Sequence, residues 1–267
     1  MRTRPNPNPS ASLDAMLSPR RTVFCLLVAS FVALALIACG GKSDDGKTDG
    51  GKPADKRSEK LTEGRASQVA HAALLDAADL SGDWKLFATD NFRSDDATLP
   101  DNGNCAAART VAAEMSKANL SRAQRALQIT IPSYTSRAQV EMHVRIFDKA
   151  ATAEDFLKRN RTVLTGDSYI RCLAGGFEVQ FGGNARVRTG DARAKAPRDG
   201  VTSAFDQDIK VEDTIYELHT DSYAWVQDNA YVLVLISGPR AMDTSDLARE
   251  TFEKVQTKVD DAFKLPK

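Results

Sequence analysis

Three histidines and a scatter of carboxylates are the side chains from which this 267-residue chain could assemble reactive chemistry. His71, His143 and His219 stand far apart, without the paired spacing that a zinc site needs, so no metal site is expected and exposed polar positions are the simpler role. Gly166-Asp167-Ser168 presents a hydroxyl, yet the late Asp-x-x-His that would activate such a serine is missing. Asp206, Asp208, Glu212 and Asp213 with Asp221 supply carboxylates that could meet calcium, and a solvated strand edge is the competing account. Tyr223, Trp225 and Tyr231 surround the last predicted hairpin, where rings can line a groove for a glycan or an acyl chain; packing in the core is the competing role. There is no G-x-S-x-G, Walker A or dinucleotide fingerprint. No catalytic residue and no cofactor is therefore expected, and the chain reads as non-enzymatic.

The charge balance limits the partners. Lys plus Arg equals Asp plus Glu at 36 each, which gives no basic surface for nucleic acid. Setting aside the residues before Cys39 leaves 32 basic against 35 acidic side chains, a net near −3.

The strongest local signal lies near the start. VFCLLVASFVALALIA runs uncharged from Val23 to Ala38 after Arg20 and Arg21, the layout of a signal peptide. At about 1.5 Å per helical residue it reaches some 24 Å, short of the ~30 Å hydrocarbon core, so a permanent span is the weaker alternative. It ends in Leu36-Ile37-Ala38-Cys39, which resembles the lipobox of bacterial lipoproteins. That resemblance implies cleavage before Cys39, acylation of its sulfur with chains such as palmitate, and a lipid anchor on the extracytoplasmic face of the cell membrane. Closure of an ordinary secretory signal is the alternative. Translation could begin at Met1 or Met16, and Arg20-Arg21 leaves both Sec and twin-arginine export open.

GGKSDDGKTDGGKPADKRSEK follows Cys39 and carries no large apolar residue, so it cannot bury enough surface to order itself. The expected organisation is a signal peptide over 1–38, a lipidated cysteine and flexible tether over 39–61, and one extracytoplasmic α+β domain over 62–267. Once Cys25 is removed with the leader and Cys39 is acylated, Cys105 and Cys172 remain as an even pair in an oxidising compartment, and a disulfide between them is expected. Two buried free thiols are the alternative.

Within the domain, apolar spacing predicts helices over Glu63–Leu75, from Cys105 to about Lys117, from an N-cap at Thr152 to about Thr165, and over Ser245–Phe263. Strands are predicted at WKLFA, around Leu127–Ile131, over Ala138–Phe147, at Phe177–Phe181, and as a hairpin of Asp213–Val226 with Ala230–Ser237. Gly182–Gly200 reads as a long excursion or ragged hairpin. AYVLVLIS is apolar on both faces and should be a central strand. The expected fold is a bent, mainly antiparallel sheet with helices packed around it.

AALLDAADLSGDW, VRIFDKAATAEDFL, Cys172, the Thr189-Gly190-Asp191 turn and the paired strands before a last helix resemble the PknH-like extracellular sensor domains and related surface lipoproteins of high-GC bacteria. The likeness runs from about Thr62 to Phe263. It implies a bent antiparallel sheet with a cleft for an unknown ligand. The chain departs from the kinase-borne members in having one cysteine pair where they carry two bridges, and no kinase domain. A PsbP-like lipoprotein fold is the competing analogy. Both imply a binding or sensor-like module for an unknown envelope ligand or protein; the alternative is an envelope hydrolase with an unrecognised carboxylate or serine site.

Overall fold

A computed structural model describes residues 61–89, 103–132, 136–181 and 183–265. The predicted leader, Leu36, Ile37, Ala38, Cys39 and the tether lie outside them.

The chain runs α1 (Glu63–Ala72), β1 (Lys85–Ala88), α2 (Ala106–Ala118), β2 (Ser121–Ile131), β3 (Ser136–Ile146), α3 (Ala150–Leu164), α4 (Asp167–Phe181), β4 (Ala185–Thr189), β5 (Val201–Val211), β6 (Thr214–Gln227), β7 (Ala230–Pro239) and α5 (Ser245–Lys264). Among the described residues the strands form one sheet in the order β1-β2-β3-β7-β6-β5-β4, each neighbouring pair antiparallel. It is the expected α+β class. β7 is central for the reason its sequence suggests: a strand that is aliphatic through Ile236, save for the largely apolar ring of Tyr231, must be covered on both sides. The β6–β7 turn places Asp228 at φ 51°, and the β5–β6 turn places Glu212 at φ 54°, so both tight reversals use left-handed residues.

Helices cover the two faces separately. On the first, Val140, Met142, Val144 and Ile146 of β3 join Val232, Val234 and Ile236 of β7 beneath Val69 of α1 and Phe252, Val255 and Val259 of α5. On the second, Leu233 and Leu235 pack with Val111 and Met115 of α2, Phe156 of α3 and Leu173 of α4. The Cys105–Cys172 disulfide closes that second layer, with the two Cα atoms 4.8 Å apart and both residues buried.

Three local expectations are corrected. Phe177–Phe181 is the last part of α4, not a strand, because buried Tyr169, Cys172, Leu173 and Phe177 recur at helical spacing and outweigh a five-residue alternation. Of the two readings of Gly182–Gly200 the hairpin is the one found, with β4 an edge strand paired to β5, but β5 itself, Val201–Val211, is a strand not predicted from the sequence. Thr152 is not the N-cap of α3: that position belongs to Lys149, and the Thr152 hydroxyl instead donates to Asp148 at 3.3 Å.

Candidate functional site

The polar side chains of β3 are the unusual part of this core. Period-two alternation sends Val140, Met142, Val144 and Ile146 to the first face and Gln139, Glu141, His143 and Arg145 to the second. The second face is not open to water. Glu141, His143 and Arg145 retain only 4%, 5% and 3% of their exposure, and they lie in register with Leu235, Leu233 and Tyr231 of β7.

These buried groups engage one another. His143 Nε2 is 2.8 Å from Glu141 Oε1, so the carboxylate orients the ring. Arg145 donates to the Ser116 hydroxyl at 3.3 Å, and burial pulls its guanidinium down to about 10. Asn160 of α3 donates to the Tyr231 phenol oxygen at 2.9 Å, and burial pushes that phenol up. From Gln139 the polar row continues across the sheet. Ser237 stands opposite it on β7, the Ser237 and Thr220 hydroxyls are 3.0 Å apart, and Gln207 donates to Thr220 at 3.2 Å.

The row is incompletely satisfied from within the protein. Gln207 Oε1, Ser203 Oγ and Asn160 Oδ1 are buried without a protein partner. A buried acceptor without a donor costs about 1–3 kcal/mol, which a water or ligand hydroxyl placed there would recover. The floor thus offers paired donors and acceptors, one oriented imidazole and several acceptors awaiting hydrogens.

The residues singled out in the sequence are dispersed. Tyr223 and Trp225 point to the first face, where their rings meet Phe252 edge-on at 4.8 and 5.7 Å. Tyr231 points to the second face, since the hairpin register sets it opposite Val226 rather than Trp225. All three are buried and share no groove; packing in the core is the role they fill. Asp206 and Asp208 meet Arg188 and Arg240, while Asp221 accepts from Thr244 and the Arg193 amide, so these carboxylates face the protein's own donors. Glu212 and Asp213 form the β5–β6 turn. Gly166-Asp167-Ser168 opens α4. His71 is exposed, as expected, but His143 and His219 are buried, and each is bonded to carboxylates rather than to a hydroxyl. Among the described residues no three His, Cys, Asp or Glu side chains are arranged so as to hold a metal ion, and no helix is long and apolar enough to cross a membrane.

The floor residues were missed because Glu141, His143 and Arg145 look like a solvated face. The available signal was β7: a strand apolar on both sides forces its neighbour's polar face under the same cover.

No protein-family model matches the chain, and no curated protein matches it. Among solved structures it is similar to the extracellular domain of PknH from Mycobacterium tuberculosis, with 14% identity over 76% of this chain and 99% of that one and a TM-score of 0.41. It is also similar to LpqN, involved in cell envelope biogenesis of Mycobacterium tuberculosis, with 9% identity over 68% of this chain and 78% of that one and a TM-score of 0.25. Both likenesses are remote.

Proposed function

We propose that this chain is a lipid-anchored, extracytoplasmic lipoprotein whose domain is a non-enzymatic binding module, and that its ligand is held at the polar floor formed by Gln139, Glu141 and His143 with Ser237 and Thr220. One observation carries the binding reading. Charged and hydrogen-bonding groups are buried on an interior strand where apolar side chains would serve stability better, and Gln207 of β5, which donates to Thr220 of the floor, keeps its own buried amide oxygen without a protein donor. The address is supported by the basic and apolar leader, by the Leu36-Ile37-Ala38-Cys39 block, and by a disulfide of the kind that persists in oxidising compartments.

Two measurements test it. Metabolic labelling with an alkyne fatty acid should mark the mature protein and leave Cys39→Ala unmarked; an unmarked wild type refutes the anchor. Envelope lipids and glycans should include one that raises Tm saturably, with the shift lost in the double variant Glu141→Leu, His143→Leu. A Tm unmoved across lipids, glycans and envelope proteins refutes the binding role. The carboxylate–imidazole contact also suits an envelope hydrolase, and turnover of an ester or glycoside that disappears in the same variant would replace the binding reading with that one.

A further inference from the structure

A second buried histidine, on the opposite face of the sheet from the floor, has carboxylates on both sides. His219 of β6 is 4% exposed. Its Nδ1 lies 2.8 Å from Asp206 Oδ1 on β5, and its Nε2 lies 3.1 Å from Asp221 Oδ1 on its own strand. A neutral imidazole carries a single N–H, so it can satisfy only one of these contacts and turns a lone pair toward the other carboxylate. The imidazolium satisfies both.

This ring sits beneath two connecting segments. Gly190, in the β4–β5 connection, lies so close that a Cβ there would come within 3.1 Å of the His219 ring. Wholly buried Asp221 accepts from the Arg193 amide at 3.2 Å and from the Thr244 hydroxyl at 3.1 Å, at the start of α5. The Arg193 guanidinium then donates to the carbonyls of Arg240 and Met242 and to Thr244. One ring therefore underlies the contact of the β4–β5 connection and, through Asp221 and Arg193, of the β7–α5 turn with the sheet.

We propose that His219 is a standing imidazolium that latches residues 190–194 and the 240–244 turn onto the sheet, and that the latch loosens when its proton leaves. The surrounding charges fit this role. Asp206 and Asp208 face it from β5, Asp221 from β6, Arg188 from β4, Arg193 from the connection, and Arg240 and Asp243 from the turn, with Glu217 bound to Arg240. The Tyr223 phenol is pushed up by burial and by neighbouring Asp221, so it stays protonated and adds no negative charge. Burial opposes the charge on His219, as does Arg193. The hydrogen bonds to Asp221 and Asp206 prevail and hold the imidazolium above its ordinary value. Because the folded value is raised, the stabilisation is complete below the unfolded value near 6.5 and is lost as pH rises through the folded value.

NMR of the mature protein labelled with 15N, followed from pH 5 to 9, tests this directly. At pH 6.5, where a free imidazole is half protonated, most His219 rings should carry protons on both nitrogens, and the Arg193 amide should titrate with the same midpoint, above 6.5. Asp206→Asn keeps an acceptor for the ring but removes one charge, and should lower that midpoint by about one unit. His219→Gln should abolish the Arg193 response. A ring mainly neutral at pH 6.5, an Arg193 amide indifferent to the ring, or an unchanged midpoint in Asp206→Asn would each overturn the proposal.

Discussion

Replacing both halves of the disulfide, as Cys105→Ala with Cys172→Ala, removes a covalent link across 67 positions of sequence. In the chain-entropy model a loop of that length restricts the unfolded ensemble by about 4 kcal/mol at 25 °C. Alanine keeps each Cβ but leaves the volume of two fully buried sulfur atoms empty beside Phe147, Phe156 and Leu173, so a cavity cost adds to the deficit with the same sign. Urea unfolding followed by Trp84 and Trp225 fluorescence reads the difference. With a slope of about 2 kcal/mol per molar, the midpoint should fall by roughly 2 M. Reductant should shift the wild type toward the variant and leave the variant unmoved. If the double variant and the wild type unfold within about 0.5 M of each other without reductant, the bridge is not a global constraint and the reasoning fails.

Other outcomes follow from single sites. The double variant Glu141→Leu, His143→Leu should be as stable as the wild type or more stable by about 1–4 kcal/mol in urea, since an apolar pair avoids burying charge; a large loss would show that the floor serves folding instead of binding. Gly200→Ala should cost about 1–3 kcal/mol, because a Cβ there would lie 2.3 Å from the Ala224 carbonyl oxygen, and an unchanged midpoint would contradict that packing. Asp208 is held below the usual carboxylate range: hydrogen bonds from Arg240 and Arg188 outweigh burial, which works the other way. Its contribution is present above the unfolded value of 3.8 and is lost as pH falls through the lower folded value, so Asp208→Asn should flatten the acid limb of a stability–pH curve.

Five of the described strands and four of the helices were legible, most of them because their signals are long, whereas β4 and β5 were not read as strands. β3 and β7 declare themselves through eight or more residues of consistent patterning, and α5 through Phe252, Val255 and Val259 on one stripe. α4 was missed where its last residues alternate like a strand, and the decisive contacts lie in the tertiary packing around Cys172 and Phe177. The candidate floor was less legible still. Alternation along β3 correctly divides its side chains into two sets, but it cannot tell that helices α2 and α3 close over the polar set. The pairing of His219 with Asp206 depends on the β5–β6 register, which the turn at Glu212 fixes and local sequence does not announce.

The sheet is open, and its two rims are unequal invitations to a stray strand. At one rim β1 offers four residues and slips register between Leu86 and Ala88, too brief and too crooked to template another ladder. At the other, β4 is five residues long and carries exposed Arg186 and Arg188, so a second copy approaching in the same register would set guanidinium against guanidinium. Crowded copies of this molecule should consequently remain separate particles, with the backbone at both margins guarded against recruitment into fibrils.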